Sequence, residues 1–265
     1  MDNARLASSF GSAAGAYAEH RPDYAPAAVR WAVGSAPGVR VLDLGAGTGK
    51  LTGGLVALGV DVTAVEPDPA MVDELRRAVP GVRVLPGRAE EIPLPDGSVD
   101  VVLAGNALHW FDMAVAGPEI ARVLAPGGTL AGLWNVVDDR VEWVAGLERV
   151  GGDAAIGPRD TVRRWRAATV DLHLPAGDRA PNPPDESAPD RFRSAEQAEF
   201  PHGQRRTADS LVATLATRAG VLVLPEPERA ALLGRIRAYL AGRAETAGGE
   251  FTLPMLTGVL RVRRR

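Results

Sequence analysis

The chain has no cysteine, and a single lysine, Lys50, among its 30 basic residues. Without cysteine there is no disulfide, no zinc–thiolate site and no thiol nucleophile, which fits a reducing cytoplasm. The near-absence of lysine, beside abundant Ala, Gly and Pro, reads as base-composition bias rather than function. No run of about 18 apolar residues occurs, so no transmembrane helix is expected. Residues 1–10 lack the apolar core of a signal segment. Nor is there an excess of positive charge. The formal net charge is −3 over 265 residues, whereas nucleic-acid binding shows as a basic excess or stripe. The tail Arg261-Val262-Arg263-Arg264-Arg265 is the local exception and reads as a solvated strand end. The four histidines, His20, His109, His173 and His202, have neither H-x-H nor i, i+4 spacing, so no metal site is expected. The G-x-S-x-G elbow of serine hydrolases is missing as well.

What is present begins with 46% hydrophobic residues, enough for a substantial core in one compact domain with an elaboration. The stretch Val41-Leu42-Asp43-Leu44-Gly45-Ala46-Gly47-Thr48-Gly49-Lys50 runs an apolar strand into a loop with alternate glycines, and a helix follows. Glycine suits backbone that bends at positive φ or approaches a ligand closely. At the carboxyl end of a strand in an open α/β sheet, such a loop holds a nucleotide-like ligand. Val62-Thr63-Ala64-Val65-Glu66 then ends in a carboxylate, about 20 residues further on, where an acid takes a ribose hydroxyl pair. The dinucleotide fingerprint G-x-G-x-x-G is broken, because Lys50 holds its third position, and a P-loop is absent. Asp43 would repel a pyrophosphate but suits an ammonium or a sulfonium-bearing ligand.

Strands are expected over 39–44, 61–66, 82–86, 99–104 and 129–134, with helices over 50–58, 69–79 and 111–124 between them. Strands that alternate with helices predict a parallel, doubly wound sheet with right-handed crossovers. Beyond it, 140–150, 161–168, 207–218 and 227–243 read as helices, 195–200 and 251–263 as strands. The stretch 177–190, rich in Pro, Asp and Gly, reads as a loop.

Four ordered motifs together resemble a known family, the class I S-adenosylmethionine-dependent methyltransferases. They are 41–52, 62–71, Gly87–Asp100 and Arg122-Val123-Leu124-Ala125-Pro126-Gly127-Gly128. More narrowly, 10–26 and Ala107-Leu108-His109-Trp110-Phe111-Asp112 resemble a bacterial small-molecule subgroup similar to the trans-aconitate methyltransferases. The resemblance implies a Rossmann-like, doubly wound seven-stranded sheet. Its last strand lies antiparallel between strands five and six, and a helical lid covers the carboxyl edge. One domain overall is expected: an N-terminal lid segment 1–36, a cofactor-binding core 37–136, and a half 137–265 carrying the lid helices.

It also implies S-adenosylmethionine as cofactor, a small-molecule acceptor and sites for each, with O-methylation as the first reading. A fold that binds the cofactor without transferring methyl, in a regulatory or cyclising role, is the alternative. On the cofactor side stand Asp43, Gly45, Ala46, Gly47, Glu66, Pro67, Met71, Arg88, Ala89, Glu90 and Asn106. Met71 serves either the adenine pocket or the core, and Asn106 either the methionine end or a loop cap. Arg88 departs from the small or acidic residue usual there, and Glu90 is the substitute partner for the adenine. On the acceptor side stand Tyr17, Arg21, His109, Trp110 and Asn135. His109, just past strand four, is the candidate base, or else a wall beside Trp110, since its ordinary pKa lies near neutrality. The resemblance implies Tyr17 over the cofactor at the catalytic end; Tyr17 and Arg21 are either lid contacts or surface residues. Arg205 and Arg206 are either solvated or a clamp for an anionic acceptor.

Overall fold

Apolar strands alternating with amphipathic helices build the first half of the molecule. The computed structural model describes residues 21–34, 39–157, 160–170, 192 and 195–265. Helix α1 (Pro26–Val33) precedes β1 (Arg40–Leu44), α2 (Lys50–Ala57), β2 (Asp61–Glu66), α3 (Pro69–Ala78), β3 (Arg83–Pro86) and β4 (Val99–Gly105). A 3-10 turn at Leu108–Trp110 leads to α4 (Met113–Val123) and β5 (Leu124–Val137). Then come α5 (Glu142–Ala155), α6 (Val162–Val170), β6 (Glu196–Arg206), α7 (Ala208–Ala216), α8 (Ala219–Leu222), α9 (Glu226–Ala241) and β7 (Phe251–Arg263). The expected loop at 177–190 lies outside the described residues.

The strands form one seven-stranded sheet in the order β3-β2-β1-β4-β5-β7-β6. Strands β1 to β5 are parallel, and β7 runs antiparallel to both β5 and β6. This is the Rossmann-like sheet expected above, with its antiparallel last strand. The chain steps outward from β1 to β3, then returns to β4 on the other side of β1. That reversal opens a crevice at the carboxyl ends of the strands, where ligands bind in such sheets.

Apart from Asp100 near its start, which pairs with Arg40 (2.8 Å), central strand β4 is apolar because helices cover both sheet faces. On one face Leu42, Val102 and Leu130 pack with Ile120 of α4 and Trp165 of α6. On the other, Val41, Leu103 and Leu133 pack with α1 and α2 through Val29, Leu51 and Leu55. A third cluster joins α5, α7 and α9 to the start of β7 through Leu147, Leu211, Ile236 and Met255. Local signals explain several boundaries. The Asp68 side chain accepts from the amides of Ala70 (2.8 Å) and Met71 (3.2 Å), with Pro69 opening α3 behind it.

Two strands exceed their expected lengths. Strand β6 continues through Pro201 and Gly203 to Arg206, paired with β7 throughout. Proline reads as a breaker, but β6 is an edge strand, where a missing N–H costs no ladder bond. Strand β5 reaches Val137 because it too pairs with β7 along that stretch. The helix expected over 111–124 starts later, at Met113, after the 3-10 turn, with Asp112 capping it through the Ala114 amide (3.1 Å). The helix expected over 207–218 ends at Ala216, and the short α8 follows.

Strand β7 also carries a steric constraint. Gly258 sits opposite Trp134 of β5, and a Cβ there would run into the ring of Trp165. The two indoles lie 6.4 Å apart at 49°. We expect Gly258→Ala to destabilise the fold by about 1–3 kcal/mol through overpacking. Thermal unfolding checks this, and an unchanged midpoint would refute the close packing of α6 on β7.

Candidate functional site

The crevice is a cavity of about 1000 Å³ at the carboxyl ends of β1, β2 and β4. Of the residues singled out in the sequence, Arg21, Asp43, Gly45, Ala46, Gly47, Glu66, Pro67, Met71, Arg88, Ala89, Glu90, Asn106, His109 and Trp110 line it. Tyr17 lies outside the described residues. Asn135 does not line the cavity, and neither do Arg205 and Arg206. Arg205 pairs with Glu250 at the surface (2.9 Å).

The glycine loop is built by two adjacent strand ends. Gly45 and Ala46 donate their amides to the Val65 carbonyl at 2.9 and 3.1 Å, tying the loop to β2. Gly47 takes φ 56°, a left-handed conformation that favours glycine, and a Cβ there would meet only open space. Its amide donates to Glu66 Oε2 (2.9 Å), while the Asp68 amide donates to Oε1 (3.0 Å). Each oxygen of Glu66 thus already accepts one backbone bond and keeps acceptor capacity for another. Burial raises the Glu66 pKa, and these two amides oppose the rise.

Asp43 is fully buried at the end of β1. Its Oδ2 accepts from the Thr52 hydroxyl of α2 (2.6 Å), while Oδ1 is buried without a hydrogen-bond partner. Burial pushes its pKa up to about 7; the Thr52 hydroxyl pulls it down and nearby Glu66 raises it further. An acceptor left unsatisfied inside a cavity wall marks a place for a donor, and for a carboxylate a cationic one fits best.

Asn106, past the end of β4, has φ 52°, alone among the described non-glycine residues in that region. Its amide donates to the Leu133 carbonyl (2.7 Å), so the turn is held while the residue lines the cavity. Glu90 accepts from the Asp112 amide (2.9 Å), joining the loop after β3 to the start of α4. Met71 is almost wholly buried, yet it contributes to the cavity wall, so it belongs to core and pocket alike. His109 stacks at 4.9 Å from Trp110, and its Nδ1 faces Trp134 Nε1 at 3.4 Å.

The reading of Asn135 as an acceptor contact is corrected here. Its amide nitrogen donates to the carbonyls of Pro22 and Asp23, each at 3.1 Å, and its oxygen accepts from the Thr257 hydroxyl (2.7 Å). Thr257 in turn accepts from the Ala25 amide (3.0 Å). With its hydrogen bonds directed this way, Asn135 straps residues 21–25 across the sheet edge. That strap carries Arg21 and Tyr24 into the cavity wall, and Asp23 pairs with Lys50 (3.3 Å).

The sequence reading missed the far side of the cavity. Asp153, Ala154, Asp160, Arg218 and Gly220 form it, with Arg218 paired to Asp160 (2.9 Å). Gly220 packs on the Ala154 backbone, and Gly152 breaks α5 at φ 58° just before Asp153. The glycines were the only available signal, and they do not reveal which distant helices meet. Among the described residues no cluster of His, Asp or Glu could hold a metal ion, and no helix is long and apolar enough to cross a membrane.

With this geometry in hand, known proteins are informative. A methyltransferase domain family matches residues 42–132. An uncharacterised methyltransferase of Mycobacterium tuberculosis is 40% identical over 254 residues, covering 96% of this chain and 94% of that protein. A malonyl-[acyl-carrier protein] O-methyltransferase of Serratia marcescens is 34% identical over 134 residues, 47% of this chain and 50% of that protein. Among solved structures, one from Anaeromyxobacter dehalogenans, described as a type II methyltransferase, superposes with a TM-score of 0.62. It is 26% identical and covers 92% of this chain and 97% of its own.

Asp43 makes the ligand-free protein sensitive to pH. Its folded pKa of about 7 lies above the unfolded value, so the folded state holds a proton that the unfolded chain releases. Its contribution to stability is therefore full below about pH 4 and is lost as pH rises toward 7. The size is of order 4 kcal/mol at most. Denaturant titration of wild type and Asp43→Asn from pH 4 to 8 checks this. The wild type should lose stability relative to the variant as pH rises, and parallel curves would show that Asp43 is not held protonated.

Proposed function

The chain belongs to the class I S-adenosylmethionine-dependent methyltransferases, and on that premise we propose that it methylates a small-molecule acceptor at oxygen. The cofactor's fit rests on one observation above the others: the buried, unpartnered Oδ1 of Asp43 in the cavity wall. An ammonium group supplies the cationic donor that this oxygen lacks. Glu66, with one lone pair taken on each oxygen, keeps acceptors for two ribose hydroxyls. In this reading Pro67, Met71, Arg88, Ala89 and Glu90 enclose the adenine. Gly45, Ala46 and Gly47 let backbone lie against the ligand, and Asn106 meets its methionine end. When bound, S-adenosylmethionine supplies a sulfonium methyl: the acceptor's lone pair forms the new bond to carbon while the C–S pair returns to sulfur.

What the chain must add is alignment and exclusion of water. Arg21, buried in the strap, and His109 with Trp110 line the same cavity and would hold the acceptor. A guanidinium favours an anionic acceptor such as a carboxylate, which needs no base. Tyr17 is kept as a cover for the catalytic end on the family resemblance alone. That resemblance, at 10–26 and 107–112, also supports the small-molecule subgroup similar to the trans-aconitate methyltransferases. The O-methyltransferase of Serratia marcescens, similar over half its length, adds support for oxygen.

Two outcomes are expected. Glu66→Ala should weaken S-adenosylmethionine binding about 10- to 100-fold in calorimetric titration, the scale of a charge-assisted pair; unchanged affinity would remove Glu66 from the site. Incubation with S-adenosylmethionine and small carboxylates should yield methyl esters and equimolar S-adenosylhomocysteine by mass spectrometry. Cofactor binding with no methylated product from carboxylates, phenols or amines would favour a binding protein that transfers no methyl.

A further inference from the structure

Asp43 is poorly served as a charged group while the cavity is empty. Its side chain has no exposure, and a carboxylate so placed needs a cation or several donors. Among the described residues Thr52 alone donates to it, the hydroxyl lying 2.6 Å from Oδ2, and Oδ1 is buried without a partner. The surrounding elements supply no countercharge. Ala64 of β2 and Leu103 of β4 flank it in the sheet. Arg30, the one charged residue of α1, is exposed. Lys50 at the start of α2 pairs with Asp23 (3.3 Å), Arg218 on the far wall pairs with Asp160 (2.9 Å), and Arg21 of the strap donates to the Thr217 carbonyl (3.4 Å). Glu66, the titratable group that acts on Asp43 from β2, carries the same sign.

A neutral acid suits these surroundings better. A proton on Oδ2 reverses the contact with Thr52, so that the acid donates and the threonine oxygen accepts. Oδ1 is then an uncharged carbonyl, and leaving it without a partner costs far less than burying a charge. A hydroxyl can serve in both directions, whereas an amide N–H in its place would only donate. Burial pushes the Asp43 pKa up to about 7, in the same sense.

We propose that Asp43 stands as the neutral acid in the empty cavity and gives up its proton when the cofactor's ammonium group binds, the Thr52 hydroxyl reversing its hydrogen bond to hold the resulting carboxylate. This rests on the S-adenosylmethionine reading above and adds a regulation to it, because occupancy of the site then follows pH. The Asp43 O–H bond breaks, its electron pair stays on oxygen, and the proton passes to solvent. The ammonium supplies the missing cation. The sulfonium takes no part, so S-adenosylhomocysteine releases the same proton. Thr52 is a positioning residue that acts through Asp43. The empty state holds more protons than the occupied one below pH about 7. Affinity therefore falls with falling pH, about tenfold from pH 7.5 to 6.

Calorimetric titration with S-adenosylhomocysteine, in buffers of different ionisation enthalpy, counts the protons. Release close to one is expected at pH 6, falling to a small fraction at pH 7.5. In Asp43→Asn the release at pH 6 should vanish; its persistence would assign the proton to another group, such as Glu66, and overturn the proposal. Thr52→Ser should keep the wild-type profile and Thr52→Val should carry the release to higher pH. An unchanged profile in Thr52→Val would remove Thr52 from the device. The nucleoside 5′-methylthioadenosine lacks the ammonium and should release no proton; release with it would overturn the ammonium as trigger. Carbon-13 NMR of aspartate-labelled wild type needs no variant. At pH 6 one carboxyl carbon should move from its acid to its carboxylate position as S-adenosylhomocysteine is added, and the absence of that movement would overturn the proposal. Binding at pH 6 without proton release strikes the proposal and leaves the cofactor reading standing, whereas no binding between pH 6 and 8 removes both.

Discussion

Two buried carboxylates at neighbouring strand ends govern the geometry of this site. Asp43 is the penultimate residue of β1 and Glu66 the last of β2, in strands paired from Arg40↔Asp61 to Leu44↔Val65. Burial works against both charges, and each is sustained by donors from another element. Glu66 draws on the glycine loop and on the amide that opens α3; Asp43 draws on Thr52 of α2. The strands, the loop and both helix starts are thereby fixed to one another. The other oxygen of Asp43 is left buried without a partner in a residue that lines the cavity, so the scaffold carries a local cost at this point.

The opposite wall depends on β7. Its inward insertion between β5 and β6 places Thr257 under the strap and Gly258 under Trp165. Thr257 links the Ala25 amide to Asn135, which holds the carbonyls of Pro22 and Asp23. His202 of β6 lies 3.2 Å from the same hydroxyl, and burial lowers its pKa. Thr257 donates its one proton to Asn135, so a neutral His202 completes the network as a donor at Nε2. One strand thus supports the strap on one face of the sheet and the His109–Trp134–Trp165 column on the other.

The two halves of the site differ in how they are recognised. The cofactor half is formed by local segments: a strand, its glycine turn and the helix behind it. There a residue type implies a geometry, because only certain residues adopt the required backbone or offer the required charge. The half proposed for the acceptor comes from residues 21–24, the 3-10 turn, the kinked end of α5 and the α8 corner, segments far apart in the chain, of which the last two pack together in the third hydrophobic cluster. Its chemistry belongs to the juxtaposition, and single residues there carry little of it.

The sequence by itself determined the alternating strand–helix core, the glycine loop, Asp43 and Glu66. Periodicity, glycine spacing and a carboxylate at a strand end are local properties, and local backbone energetics enforce them. By family resemblance it also indicated the antiparallel last strand. Only the tertiary structure decided that β6 runs on through Pro201, since a proline is tolerated once the strand lies at an edge. It also took Asn135 out of the cavity and committed it to the strap, and it brought in Asp153 of α5, Asp160 of the bend before α6 and Arg218 at the start of α8. The Trp134–His109 contact was decided there as well. Hydrogen-bond partners far apart in the chain are chosen by packing, and packing depends on every element at once.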